Sequence, residues 1–171
     1  MVELFPDFDS TLREAFRREI ELFFASVIQE DRSVHDLLTA DYTFLNKRLA
    51  RHYGIAGVYG PQFRRVQLGP EHDMRKGLLG KGALLTITSD AARTSPVKRG
   101  KWFLQTFLGV SPPDPPPGVE IKLDQKPGET PKTMRERLVL HSTSPTCAGC
   151  HKMFEPMGLA MENFDAVGQW R

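Results

Sequence analysis

The two cysteines of the 171-residue chain, Cys147 and Cys150, stand three positions apart and are followed at once by His151. Cys-x-x-Cys-His is the attachment signature of c-type haem. Two thiols within one helical turn can reach the two vinyl groups on one edge of a porphyrin, and the next residue then directs its imidazole toward the iron. The motif therefore predicts one covalent haem c on Cys147 and Cys150, with His151 as the proximal iron ligand.

The same three residues are also compatible with a redox disulfide, with half of a zinc site, or with a chance pattern. A thioredoxin-like disulfide needs a βαβ setting, whereas the residues before Cys147 predict helix and loop. A zinc site normally brings a second pair of ligands, and the nearby His141 stands alone. The motif favours haem and leaves the other three possibilities open.

The composition indicates a globular protein, with 40% hydrophobic and 26% charged residues. A formal net charge of +2 is too small to predict binding to nucleic acid or to an anionic membrane. No apolar run approaches the ~20 residues that span a bilayer. The N-terminal stretch lacks the basic segment, apolar segment and cleavage site of a secretory signal.

The first third of the chain predicts helices that would form a scaffold for this motif. Asp9 or Ser10 can cap a first helix whose apolar residues recur at helical spacing. The stretch "SVHD" resembles a capping box for a second helix. A third predicted helix, over 41–55, places four residues on one side, with Gly54 as its left-handed end: Phe44, Leu45, Leu49 and His52.

The middle of the chain contains one clear helix signal. The region 55–74 is irregular, with "FRRVQL" as a possible short strand, and "KGLLGKGALLTITS" fits either a helix or a buried strand. After these, Ser95 can cap a helix that has Pro96 in its first turn and Gly109 as its stop. Trp102, Phe103 and Phe107 could line a face of the haem, although ordinary helix core is the expectation.

Prolines then interrupt the helical pattern, and "VSPPDPPPGVEIKLDQKPGE" predicts a semi-rigid connector. A further helix, "TPKTMRERLVLHS", leads to the cysteines. The predicted fold is mainly α, with a helical domain at 1–109, a proline-rich connector at 110–129 and a small cytochrome c-like haem module at 130–171.

Two smaller expectations concern the surroundings of the haem. The second nitrogen of a ligating imidazole needs an acceptor, and the carbonyl of Pro156 is a candidate. Four basic residues could pair with haem propionates, although solvated surface is the expectation for most of them: Arg93, Lys98, Arg99 and Lys101.

The last 31 residues resemble the cytochrome c module of planctomycete-type multidomain proteins, whose domains are mostly of unknown function. The residues that carry this resemblance are His141, Pro145, Cys147, Cys150, His151, Pro156, Gly158, Glu162, Asn163, Phe164, Asp165, Gly168, Trp170 and Arg171. Upstream stretches, among them "RLARHYGI" and "PPDPPPGV", resemble the same family in order. The chain departs from that family at two places. Glu155 stands where the family often has Asp, which is a mild change. Met157 and Met161 stand where the family more often has Leu, which favours core packing over iron ligation for both.

The resemblance implies c-type haem binding and electron transfer within a larger exported or periplasmic protein, of which this chain is a fragment. A redox partner protein or missing domains of the same chain would exchange the electrons. The alternatives are part of a haem-dependent oxidase or peroxidase, and a metal-stabilised interaction domain; no catalytic motif decides whether the chain is an enzyme. His52, on the apolar side of its predicted helix, is the first candidate for the distal iron ligand, Met161 is the second and an open site the third.

Overall fold

The computed structural model describes residues 4–112, 133, 135–136 and 145–171, with the backbone alone at 145–147 and 150. Their structure is mainly α. The elements in chain order are α1 (Ser10–Gln29), α2 (Asp36–Thr39), β1 (Tyr42–Leu45), α3 (Lys47–Tyr53), β2 (Arg64–Gln67), a 3₁₀ helix (Pro70–Arg75), α4 (Gly82–Ile87), α5 (Pro96–Phe107) and α6 (Pro145–Ala160). Within the described ranges, no helix combines the length and apolar character needed to cross a membrane.

These elements group into two compact units. The first comprises Met1–Arg93 with Phe164–Arg171, and the second comprises Thr94–Asn163. This grouping differs from the predicted division because α5 packs against α6 and joins the second unit, whereas the end of the chain belongs to the first. The predicted connector at 110–129 and the predicted helix that precedes the cysteines lie almost entirely outside the described residues.

α1 begins and packs as its sequence predicts. The Asp9 carboxylate caps the helix by accepting a hydrogen bond from the backbone N–H of Leu12 at 2.8 Å. Leu12, Ala15 and Phe16 of this helix face the core of the first unit, whereas Phe24 and Ile28 are exposed. The buried members of that core are Phe8, Leu12, Ala15, Phe16, Leu45, Leu49, Ala50, Tyr53, Ile55, Val58, Leu68 and Val167. The core therefore takes residues from both ends of the chain.

The predicted helix over 41–55 is wrong in its first part. Residues Tyr42–Leu45 form β1 and pair antiparallel with β2, with Thr43 opposite Val66. Aromatic and β-branched residues favour an extended backbone when a partner strand is available. The helix α3 starts only after Asn46, whose side chain accepts from the Leu49 N–H at 2.9 Å.

The other cap predictions have mixed outcomes. Gly54 ends α3 at φ 72°, which confirms the left-handed cap. The capping box at "SVHD" is wrong, because α2 starts at Asp36 and this carboxylate instead pairs with Arg32 at 2.7 Å. Ser95 caps α5 as predicted, accepting from the Lys98 N–H at 3.3 Å. The ambiguous stretch before it contains the short helix α4.

A buried polar cluster in the first unit could not be read from the sequence. The Glu19 carboxylate accepts hydrogen bonds from the hydroxyls of Thr43 at 2.5 Å and Tyr53 at 2.6 Å. The ammonium of Lys81 lies 3.9 Å from the same carboxylate. Burial raises the pKa of Glu19 and lowers the pKa of Lys81 to about 8. The cluster ties α1, β1 and α3 to the residue that precedes α4.

Candidate functional site

The three motif residues lie on one helix, α6, within the second unit. Relative to Cys147, Cys150 stands at i+3 and His151 at i+4, so the three positions share one helical face. This is the arrangement that the sequence predicts for attachment along one porphyrin edge. The helix continues through Pro156 and ends at Ala160.

His151 has a different hydrogen-bond partner from the one expected. Its Nδ1 lies 2.9 Å from Oε1 of Glu155, and its ring centroid is 5.0 Å from that of Phe154. We predicted the carbonyl of Pro156 as the acceptor. Because α6 is continuous here, the residue four positions after His151 lies on the same face, and this residue is Glu155.

α5 and α6 approach closely because each has a glycine at the contact. A Cβ added at Gly100 would fall well inside 3.0 Å of the Phe154 carbonyl oxygen, and a Cβ at Gly158 would do the same at the Pro96 carbonyl oxygen. Both glycines are buried. Since Gly100 meets Phe154 and the earlier Pro96 meets the later Gly158, the two helices run antiparallel.

Because the two helices are antiparallel, the last turns of α5 lie toward the end of α6 that carries the cysteines. Three aromatic residues occupy those turns. The ring of Phe107 lies 5.7 Å from that of Trp102 and 5.2 Å from that of Phe103. All three side chains are half-buried, so they are less enclosed than the fully buried core residues. They supply an apolar surface at this end of the second unit.

A buried arginine stabilises the C-terminal end of α6. Arg99 is fully buried; it donates a 2.6 Å hydrogen bond to the Met161 carbonyl and lies 3.9 Å from the Glu162 carboxylate. Thr94 donates to that carboxylate at 2.6 Å. Arg99 is therefore an exception to the solvent exposure that we expected for most of the four basic residues. The sequence alone does not predict this burial, because it depends on the packing of α5 against α6.

The two methionines of this region differ in burial. Met161 is buried, as core packing predicts, and it follows α6 directly. Met157 is 41% exposed, so core packing is wrong for this residue. Neither observation tests iron ligation by Met161, which stays a prediction.

His52, the other candidate ligand, lies in the first unit on α3. Its side chain is buried, and Nε2 donates a 2.8 Å hydrogen bond to the Val167 carbonyl. Nδ1 then carries the lone pair, and it has no hydrogen-bond partner among the described residues. Burial lowers the pKa of His52, which keeps the ring neutral at neutral pH. Ligation through Nε2 would require the ring to release Val167.

Among the described residues, no group of three or more His, Cys, Asp or Glu side chains is placed to hold a metal ion. The donor set on α6 nonetheless fits haem c in its chemistry. It offers two thiol-bearing residues one turn apart and an imidazole whose second nitrogen is held by a carboxylate.

Two protein families match parts of the chain. Residues 75–171, more than half of its length, match PSCyt3, described as a protein of unknown function (DUF1588). The chain belongs to the PSCyt3 family. Residues 2–55 match a second family, PSD4, also described as a protein of unknown function (DUF1592). Both families are found in planctomycete-type multihaem cytochrome c proteins.

The PSCyt3 match extends from the end of the 3₁₀ helix to the end of the chain, and the PSD4 match extends from near the start through α3. No curated protein and no solved structure is significantly similar to the chain.

Proposed function

We propose that this PSCyt3 chain binds one haem c covalently and transfers electrons within a larger exported protein. The observation that carries the proposal is the Cys-x-x-Cys-His sequence on one continuous helix, with the imidazole of His151 anchored by Glu155. When bound, haem supplies a one-electron carrier. Cys147 and Cys150 would hold it through thioether bonds, and His151 would ligate the iron.

The surroundings of the motif support this assignment. Gly100 and Gly158 let α5 lie close against α6, and Arg99 fixes the turn after α6. The helix that carries the motif is thus held by a buried partner. Trp102, Phe103 and Phe107 add a half-buried apolar surface, and an apolar environment excludes water from a bound porphyrin.

Covalent attachment is tested by expressing the chain with an export signal in a bacterium that has a cytochrome c maturation system. We expect peroxidase-active haem to stay with the polypeptide on a denaturing gel after acid–acetone extraction. Changing both Cys147 and Cys150 to Ala should abolish the stain, whereas Gly149→Ala, between them, should retain it. Complete extraction of haem from the matured wild-type protein would refute the proposal.

Metal content separates haem from the alternative of a metal-stabilised interaction domain. That alternative predicts stoichiometric zinc and no haem in the purified protein, and our proposal predicts the reverse. Binding of carbon monoxide to the reduced protein separates an electron carrier from part of an oxidase or peroxidase. A carrier with two axial ligands resists carbon monoxide, whereas an open site binds it at once.

For the distal ligand we retain His52 first and Met161 second. Methionine ligation gives a weak far-red band in the oxidised protein, and bis-histidine ligation does not. If His52→Ala leaves the low-spin spectrum unchanged, His52 is not the ligand, and its bond to Val167 describes a structural role. Loss of the far-red band in Met161→Leu would assign Met161 instead.

We also propose that the chain acts outside the cytoplasm, in the periplasm or after export, because c-type haem is attached there. The electrons would come from a redox partner protein or from other domains of the same chain. Cell fractionation of the native host followed by haem staining tests the location, and haem-free protein confined to the cytoplasm would contradict it.

A further inference from the structure

The contact between His151 and Glu155 has consequences for the chemistry of the imidazole. The carboxylate can only accept, so Nδ1 of His151 donates the proton across the 2.9 Å separation. In the neutral ring the lone pair then lies on Nε2. One carboxylate thus selects the tautomer that can ligate a metal through Nε2.

The pair is shielded from water. The side chains of His151 and Glu155 are 12% and 16% exposed. Among the described residues, the ion-pair partner of Glu155 within 4.0 Å is His151. A largely buried carboxylate needs such a partner, and a hydrogen bond to a charged acceptor is about twice as strong as one to a neutral acceptor.

A carboxylate acts on the imidazole differently from the carbonyl that we expected. The carbonyl of Pro156 would orient the ring without adding a charge. The carboxylate of Glu155 draws the Nδ1 proton toward itself, so the ring becomes a stronger electron donor at Nε2. Stronger donation stabilises the higher oxidation state of a metal bound there.

We propose that Glu155 is a positioning residue that orients His151 and lowers the reduction potential of the iron that His151 ligates. This assignment rests on the proposed function, since it needs haem on Cys147 and Cys150. It adds a determinant of the potential that the Cys-x-x-Cys-His motif does not specify.

The test is Glu155→Gln in the haem-loaded protein. Glutamine keeps a neutral acceptor at nearly the same length and removes the charge. We expect the equilibrium constant for reduction to rise about tenfold, which is about 59 mV in the midpoint potential of a one-electron couple. The measurement is a spectroelectrochemical titration of protein whose haem content per polypeptide has been determined first.

Glu136→Gln is the matched control. Glu136 is an exposed residue of the same unit, and the substitution makes the same change in net charge outside α6. It should leave the midpoint potential unchanged. Glu155→Asp, which keeps the charge on a shorter side chain, should give a potential between those of the wild type and Glu155→Gln.

The outcomes separate the two proposals. Wild-type protein without covalent haem refutes the proposed function and this assignment with it. Wild-type protein with haem whose potential is unchanged or lower in Glu155→Gln refutes the role of Glu155 alone. If Glu155→Gln does not acquire covalent haem, the midpoint potential of Glu155→Asp is the test. A potential equal to that of the wild type then overturns the assignment.

Discussion

The close approach of α5 and α6 makes Gly100→Ala the most direct test of the second unit. The added methyl group would fall well inside 3.0 Å of the Phe154 carbonyl oxygen, a separation that real Cβ atoms essentially never show. The obstacle is backbone, so no side-chain rotation relieves it. The two helices have to separate before the methyl group reaches ordinary contact at 3.4 Å or more.

Two opposing effects set the magnitude. Replacing glycine by alanine inside a helix stabilises it by about 1 kcal/mol. Overpacking a well-packed contact costs about 1–3 kcal/mol, and a backbone obstacle places Gly100 at the upper end of that range. We expect a net loss of about 2 kcal/mol, or a fall of about 4–8 °C in Tm for a chain of this size.

Gly149→Ala is the matched control, since Gly149 lies in α6 with nothing within 4 Å of an added Cβ. There only the helix-propensity effect remains, and Tm should rise by about 2–4 °C. Thermal unfolding of both variants, followed by the helical circular dichroism of haem-loaded protein, gives the comparison. Equal shifts of the same sign in the two variants would refute the close helix contact.

Three further predictions concern the buried groups of the first unit. Glu19→Ala should lower the free energy of unfolding in urea by at least about 3 kcal/mol, because Thr43 and Tyr53 lose their acceptor and Lys81 is left buried without its anion; a loss below 1 kcal/mol would contradict this. Burial lowers the pKa of Lys81 from 10.5 to about 8, so between these pH values the unfolded chain binds a proton that the folded chain has released. The free energy of unfolding should therefore rise with pH across this window in the wild type, and the rise should disappear in Lys81→Met. Burial also lowers the pKa of His52 below 6.5, so stability should fall as the pH drops below 6.5, and His52→Gln should weaken this acid dependence in pH-resolved urea titrations.

Local sequence signals predicted three helix ends correctly. Asp9, Ser95 and Gly54 act through hydrogen bonds or backbone conformations that involve residues only a few positions away. The same local reasoning failed at β1, because the strand exists only by pairing with β2, more than a dozen residues later in the chain. Propensity alone cannot supply a distant partner strand.

Local spacing also specifies much of the candidate site. The Cys-x-x-Cys-His pattern specifies its own geometry, since Cys147, Cys150 and His151 fall on one face of any helix that contains them. Glu155 was also within reach of sequence reasoning, since the spacing of four residues is visible once the helix is known to continue past His151.

The sequence by itself determined the chemistry offered by α6 and the predicted caps of α1, α3 and α5, because these depend on neighbours along the chain. The tertiary structure alone decided which groups are buried and which partners they meet. The sequence alone suggests that Arg99 is a surface cation, whereas packing brings it to Glu162 and the Met161 carbonyl. Folding likewise decides the hydrogen-bond partner of His52, because it brings the Val167 carbonyl, 115 positions away, to its Nε2. A buried polar group needs a hydrogen-bond partner, and the packing of distant segments determines which partner is available.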